Sequence, residues 1–226
     1  MLDTPETPPA AAASALPEGV DLAALVAGKL CHDFISPAGA IASGLDLLDD
    51  PSAADMRDDA LALISQSSRK MVALVHFARV AFGASTTSES FRTDSLRDLV
   101  AGLNEGGRAE LRWRIDDQTV DKSAARTLVN LAWLTLAALP TGGVATVTAR
   151  SENGRLVLAG LAEGPRARLK PEAVAGFKGQ ALTEGLQGQW IQPYWLWLTA
   201  REAGGRLAAT VEDGLVTILA DLPQQG

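Results

Sequence analysis

The sequence has a single cysteine, fewer basic than acidic residues, and no long apolar run. Cys31 has no intramolecular disulfide partner, and a lone cysteine of this kind is typically a small buried apolar residue. The 20 Lys and Arg against 27 Asp and Glu give a formal net charge of −7, which argues against nucleic acid as a partner, because such binding needs clustered cations. No secretion signal and no stretch of about 18 apolar residues is present. We therefore expect a cytoplasmic protein with neither a membrane nor a nucleic-acid partner.

The chain is long enough for two small domains, since it has 226 residues of which 47% are hydrophobic. Residues 1–19 are rich in Pro and Ala and have little to bury, which predicts a disordered leader. The small polar residues of 83–90 indicate a linker. These boundaries predict a helical hairpin over 20–82 and a second domain over 91–226.

Helical periodicity predicts two long helices in the first of these segments. Asp21 is a candidate N-cap for a helix that runs to about Asp49, and the turn sequence at 49–52 precedes the second helix. The apolar stripe of the first helix comprises Leu22, Val26, Leu30, Phe34, Pro37, Ile41, Leu45 and Leu48. The second helix has two apolar faces, one with Leu61, Ile64, Met71, Val72, Val75 and Phe82, and another with Leu63, Leu74 and Phe77.

A two-helix hairpin alone cannot cover two apolar faces on its second helix. We therefore predict a homodimer in which two hairpins form a four-helix bundle. The alternative is that the second domain of the same chain covers the extra face.

Beyond the linker, short alternating segments and apolar helical segments follow one another. The predicted helices cover 96–103, 123–139 and 194–203. The predicted strands cover 111–115, 144–150, 155–161, 206–211 and 215–222. Turn residues punctuate them at Pro140, Gly142-Gly143, Asn153-Gly154 and Gly204-Gly205. The pattern predicts an α+β fold, in which an α/β sandwich has a mixed sheet with helices on one face.

His32 is the residue best suited to chemistry, because it points away from the apolar stripe of its helix. The small residues that share or flank its face are Gly28, Ser36, Gly39 and Ser43. They leave room for another protein, and Lys29 on the flank is a candidate polar contact to it, the alternative being simple solvation. An imidazole accepts a phosphoryl group well when a neighbour fixes its tautomer, and Asp33, directly or through water, is placed to do so. Pro37 lacks an amide hydrogen and permits a bend one turn later.

The segment HDFISP, residues 32–37, resembles the phosphoacceptor box of the histidine kinases. That box reads His, acidic, apolar, variable, then Thr, Asn or Ser, then Pro, and the order of elements over about residues 20–223 is similar as well. Ile35 stands where a basic residue is common, which leaves the acceptor chemistry intact and bears on how a kinase domain docks. The resemblance implies a dimeric hairpin that is phosphorylated on His32.

The second domain resembles the ATP-binding domain of those kinases in layout but departs from it in its residues. Leu134 stands where those kinases have an Asn that binds the metal, and Ala162 stands where they have an Asp that hydrogen-bonds adenine. Arg166 replaces the second Gly of the motif that contains this Asp. Gly185 and Gly188 remain without the dense glycine run that wraps phosphates. Leucine does not ligate magnesium and alanine does not hydrogen-bond an amine, so the resemblance implies a domain that does not use ATP.

An intact acceptor hairpin joined to such a domain, together with the sequence of residues 192–207, resembles the ChpT-type dimeric histidine phosphotransferases of alphaproteobacteria. This resemblance implies a phosphorelay in which the receiver domain of a CckA-like hybrid kinase phosphorylates His32, and CtrA-like and CpdR-like response regulators then take the group. Mg²⁺ is expected in the partner receiver domain, and no metal or cofactor on this chain.

Two other functions stay open from the sequence. One is an atypical histidine kinase that still uses ATP, and the other is a dimeric adaptor that docks receivers without chemistry. The second histidine, His76, has no acidic neighbour and no following Pro, so we expect an ordinary surface residue. The aromatic cluster of Trp190, Tyr194, Trp195 and Trp197 is typical of a core, although Tyr194 and Trp195 are also candidates for contact with a receiver.

Overall fold

Two long helices begin the chain, and a sheet flanked by helices follows them, in a computed structural model that describes residues 16–83, 89–116 and 118–224. The helices are α1 Gly19–Asp49, α2 Arg57–Ala81, α3 Thr93–Leu103, α4 Lys122–Ala137, α5 Pro171–Phe177 and α6 Gln187–Glu202. The strands are β1 Ser90–Arg92, β2 Ala109–Arg114, β3 Thr119–Asp121, β4 Gly143–Glu152, β5 Arg155–Glu163, β6 Arg206–Glu212 and β7 Leu215–Pro223. A short 3-10 helix, Pro51–Met56, joins α1 to α2. Among the described residues, no helix is both long and apolar enough to cross a membrane.

The main sheet has the strand order β2-β4-β5-β7-β6, in which β2 runs parallel to β4 and all the other pairs are antiparallel. Burial alternates along β5 and β7, as it does in a sheet with one covered face. Helices α4 and α6 pack against the covered face, and β1 and β3 form a separate two-stranded sheet. The predicted α+β fold, with a helical hairpin followed by a mixed sheet with helices on one face, is confirmed.

Glycines close the two turns that the sequence marked most clearly. Asn153 and Gly154 both have positive φ values, 50° and 73°, which is the geometry of a two-residue hairpin turn between β4 and β5. At the end of α6, the amide of Gly204 donates to the carbonyl of Arg201 and the amide of Gly205 to that of Ala200, which stops the helix.

Several boundaries differ from the prediction. Helix α1 begins at Gly19, so Asp21 lies in the first turn and is not the N-cap. Helix α6 begins at Gln187, and Pro193 lies buried inside it, because the tight packing of α5 against α6 at Gly176 outweighs one lost backbone hydrogen bond. The helix α5 and the strands β1 and β3 were not predicted. Most of the predicted leader, 1–15, and most of the predicted linker, 84–88, lie outside the described residues.

The end of α2 is held to the second domain by two hydrogen bonds to the carbonyl of Ala81, one buried and one partly buried. The side-chain amide of Asn130 donates to this oxygen at 2.8 Å, and the indole Nε1 of Trp195 donates to it at 2.8 Å as well. Gln192 Nε2 in turn donates to Asn130 Oδ1 at 3.2 Å. Asn130 has no solvent exposure, so this group of four residues, the Ala81 clamp, fixes the junction between the hairpin and the sheet domain.

The second domain covers only one of the two apolar faces of α2. Phe77 is buried and lies 6.1 Å from the ring of Trp133 on α4, measured between centroids. On the other face Leu61 and Val72 are about half exposed, at 47% and 53%, and Leu45 of the predicted α1 stripe is 50% exposed. The part of this chain that the structure describes therefore leaves an apolar face of the hairpin uncovered.

Candidate functional site

His32 projects into solvent from the first half of α1. Its side chain is 85% exposed, so the orientation predicted from the helical wheel is confirmed. Cys31, by contrast, is exposed and not buried as predicted, because the neighbouring elements pack on other sides of α1. The imidazole is therefore open to another protein without any movement of this one.

The helix face around His32 is flat. At Gly28 and Gly39, no other described part of the chain, apart from the adjacent residues and the helix backbone itself, comes within 4 Å of the position where a Cβ would stand, and Ser36 and Ser43 are exposed. All four lie within about 40° of His32 on a helical wheel. Ile35 stands beside them with 70% of its side chain exposed. The predicted small-residue face is thus present, and its use for docking stays a prediction.

Asp33 links His32 to a lysine on the same helix. Its Oδ1 lies 3.3 Å from Nδ1 of His32, and its Oδ2 accepts a hydrogen bond from Nζ of Lys29 one turn earlier. The side chain of Asp33 is 27% exposed and that of Lys29 only 13%. Lys29 was expected either to contact a partner or to be simply solvated. Simple solvation is wrong, because its stem turns towards the second domain and its ammonium pairs with Asp33, and the contact to a partner stays a prediction.

Pro37 follows one turn later and is buried, while α1 continues unbroken through it to Asp49. The proline has no amide hydrogen for the carbonyl of Asp33, the acceptor four residues earlier. The helix absorbs this loss without ending.

A cavity of about 540 Å³ opens beside His32, between the hairpin and helices α3 and α4. Lys70 of α2 lies on its wall, where its ammonium donates to the carbonyl of Leu103 at the end of α3 and stands 6.0 Å from the ring centre of Trp133. Burial lowers the pKa of Lys70, and the carboxylates of Glu105 and Asp33 act in the opposite direction. Lys70 was not singled out from the sequence, because only the packing of α1 on α2 brings it near Asp33, and only the packing of α2 on α3 brings it to Leu103.

The positions compared above with the nucleotide contacts of histidine kinases are two apolar residues and one exposed arginine. Leu134 lines a second cavity of about 280 Å³ between α4 and α6, Ala162 is fully buried in β5, and Arg166 is exposed. Gly188 also borders this cavity. Within the described ranges, no group of three or more His, Cys, Asp or Glu side chains is arranged to hold a metal ion.

The aromatic cluster belongs to the core. Trp190 and Tyr194 are each 2% exposed and stack at 4.4 Å, and burial raises the pKa of Tyr194. They pack with Leu22 and Val26 of α1. Trp195 is half-buried and its indole is used in the Ala81 clamp, so neither Tyr194 nor Trp195 offers the free polar edge expected of a receiver contact.

Comparisons with known proteins agree on one family. Residues 93–214, more than half of the chain, match the family model of the histidine phosphotransferase C-terminal domain. The protein phosphotransferase ChpT of Brucella abortus (strain 2308) is 32% identical over 197 residues, which cover 86% of this chain and 93% of that protein.

A solved structure gives the same picture. A bacterial phosphotransferase of 28% sequence identity superposes with a TM-score of 0.80 over 92% of this chain and 100% of its own. More distant is a histidine kinase domain from Erythrobacter litoralis EL346, a blue-light activated kinase, which is 15% identical and has a TM-score of 0.47 over 84% of this chain and 95% of its own.

Proposed function

Because this chain belongs to the histidine phosphotransferase family, we propose that His32 accepts a phosphoryl group from the phosphorylated aspartate of a receiver domain in a hybrid histidine kinase and passes it to the aspartates of response regulators. The observation that carries the proposal is the geometry at His32, an imidazole 85% exposed with a carboxylate oxygen 3.3 Å from Nδ1. Both the donor and the acceptor are separate proteins, so the histidine has to be open to solvent.

In the transfer step, this chain has to supply only the attacking nitrogen and its orientation. The Nε2 lone pair of His32 forms a bond to phosphorus while the bond from phosphorus to the receiver's carboxylate oxygen breaks, and that electron pair returns to the receiver. The proton on Nδ1 stays hydrogen-bonded to Asp33, whose negative charge offsets the positive charge gained by the ring. The receiver supplies the aspartate and Mg²⁺. This chain supplies the nucleophile and its orientation, and positioning of this kind can lower a barrier by roughly 7–11 kcal/mol.

The receiver docks on the bare helix face formed by Ser36, Gly39 and Ser43, next to His32. All three residues are exposed, and the backbone at Gly39 has open space where a side chain would stand. Helix backbone that is not shielded by side chains permits another protein to approach the imidazole closely.

The sheet domain does not bind ATP in this proposal. Leu134 offers no oxygen to a magnesium ion, and Ala162 is enclosed in the sheet without a polar group for adenine. The test is incubation with labelled ATP and magnesium, in which the protein should stay unlabelled. Label on His32 under these conditions would instead identify an ATP-using histidine kinase.

We further propose that two copies of the chain pair through their hairpins to form a four-helix bundle. The uncovered face of the hairpin, which includes Leu45, Leu61 and Val72, supports this, because exposed apolar side chains at helical spacing need a partner. Light scattering should give a dimer at micromolar concentration, and Val72→Asp should shift it to a monomer. Val211→Asp is the matched control, since Val211 is 50% exposed on β6 of the other domain and the substitution there should leave the dimer intact.

The central experiment follows labelled phosphate from one phosphorylated receiver to a second receiver in the presence of this protein. His32→Ala should abolish the relay, whereas His76→Ala, which removes the other exposed histidine, should leave it unchanged. If relay persists in the His32→Ala variant, the protein is an adaptor that only brings receivers together.

A further inference from the structure

Lys29 occupies a position that surface solvation does not explain. It lies three residues before His32, yet only 13% of its side chain is exposed, against 85% for the histidine. The residue borders both cavities between the hairpin and the sheet domain, and its ammonium is paired with Oδ2 of Asp33. A charge so far withdrawn from solvent is stable only with a partner of opposite sign, and Asp33 is that partner.

The pairing decides which way the carboxylate of Asp33 faces. A carboxylate has two oxygens, and with Oδ2 held by Lys29 the other, Oδ1, is left 3.3 Å from Nδ1 of His32. Both contacts come from one helix, at spacings of four residues and one residue, so the backbone fixes them together. The cation of Lys29 therefore reaches the imidazole only through Asp33.

A second cation acts on the same carboxylate. The charge of Asp33 is felt by Lys70 on α2, whose ammonium donates to the carbonyl of Leu103. Without Lys29, we expect the attraction of Lys70 to turn the carboxylate of Asp33 away from His32 towards α2. Lys29 thus acts against a specific alternative orientation.

We propose that Lys29 is a positioning residue, which holds Asp33 so that Oδ1 accepts a hydrogen bond from the protonated Nδ1 of His32 and Nε2 remains unprotonated and free to attack phosphorus. The inference rests on the proposed function, in which His32 is the phosphoryl acceptor. In the transfer step described above, Lys29 forms and breaks no bond, and the Nδ1 proton stays where Asp33 holds it. This replaces its sequence-based role as a direct contact to the partner.

The first test measures the tautomer of His32 in the absence of any partner. Nitrogen-15 NMR of the full-length protein distinguishes protonation at Nδ1 from protonation at Nε2, and the His76→Ala variant assigns the signals of the two histidines. Lys29→Met should shift the neutral ring towards the Nε2-protonated form, as in a free histidine side chain. Lys29→Arg should keep the Nδ1-protonated form, because arginine also pairs with a carboxylate. Lys178→Met, at an exposed lysine of the sheet domain, is the matched control and should change nothing.

The second test measures single-turnover transfer from a phosphorylated receiver. Lys29→Met should slow transfer by about tenfold or more, by analogy with the loss seen when the group that orients a metal-bound histidine is removed, and Lys29→Arg should keep most of the rate. In an Asp33→Asn background, Lys29→Met should have no further effect, because the lysine acts only through that carboxylate. Thermal unfolding of each variant separates these effects from loss of fold.

Two results would overturn the inference. One is an unchanged tautomer in Lys29→Met together with slower transfer, which would make Lys29 a direct contact to the receiver. The other is a loss of transfer from Lys29→Met that is equally large with and without the Asp33→Asn substitution. Absence of any label on His32 in the unsubstituted protein would refute the proposed function alone, since the tautomer measurement needs no transfer.

Discussion

Replacing the glycines beside His32 by alanine should make the protein more stable. Replacing residues of the same face by much larger side chains should instead make it less active. Gly28 and Gly39 lie inside α1, in helical conformation, with open space where a Cβ would stand. In such positions alanine is favoured over glycine by about 0.8–1.0 kcal/mol. The free energy of unfolding of the double alanine variant should therefore be higher by about 2 kcal/mol, which for a chain of this size raises Tm by roughly 4–8 °C.

Gly44 in the same helix provides the contrast. A Cβ there would stand 2.6 Å from Cγ1 of Ile64 and 3.2 Å from the carbonyl oxygen of Ala60, where α1 and α2 cross closely. Gly44→Ala should destabilise the protein by about 1–3 kcal/mol through overpacking, despite the same gain in helix propensity. Chemical denaturation of the single alanine variants at Gly28, Gly39 and Gly44 measures the expected gain of stability at the first two positions and the expected loss at the third.

Large side chains introduced on the same helix face should block phosphoryl transfer. Gly39→Leu and Ser36→Trp should fold with normal stability and block transfer from a phosphorylated receiver, because their side chains would stand between His32 and its partner. A destabilised Gly39→Ala variant would show that this face is packed and not open. Transfer at the normal rate by Gly39→Leu would show that the receiver approaches from another side.

Four further substitutions, at three positions, test the hydrogen bonds that hold the fold together. Asn130→Ala should cost about 2–4 kcal/mol in the free energy of unfolding, since it removes the bond to Ala81 and leaves the buried Gln192 amide without its acceptor, as denaturant titration would show. Trp195→Phe should cost only about 1 kcal/mol in the same titration, because the Ala81 carbonyl keeps its bond from Asn130. Asp121→Ala should cost about 1 kcal/mol through loss of the two amide bonds that cap α4, whereas Asp121→Asn should be nearly neutral; a large effect of the asparagine variant would indicate a role for the charge instead of the cap.

The elements that the sequence predicted well are those governed by local periodicity and turn chemistry. The alternation along β5, the Asn153-Gly154 turn and the Gly204-Gly205 stop are set by neighbouring residues, and the structure has them at those positions. The orientation of His32 follows from the period of a single helix in the same way. Its proposed role depends on partners and stays a prediction.

Features that depend on packing between distant elements were missed or wrong. The small exposure of Lys29 was missed, because a helical wheel does not show the sheet domain that shields it. The start of α6 was placed after Pro193 because local rules disfavour proline inside a helix, whereas contacts with α5 hold it there. Lys70 gave no signal at all, since its hydrogen bond joins it to Leu103, 33 residues further along the chain, and it nears Asp33 only through the packing of α1 on α2.

The Ala81 clamp fixes the hairpin relative to the sheet domain before any partner binds. The hairpin and the sheet domain are joined by buried and partly buried hydrogen bonds, and His32 is already exposed, so no hinge has to open before the histidine is available. If receivers dock as proposed, each of them meets the same preformed surface, and differences in transfer between receivers then arise from the receivers and not from a rearrangement of this protein.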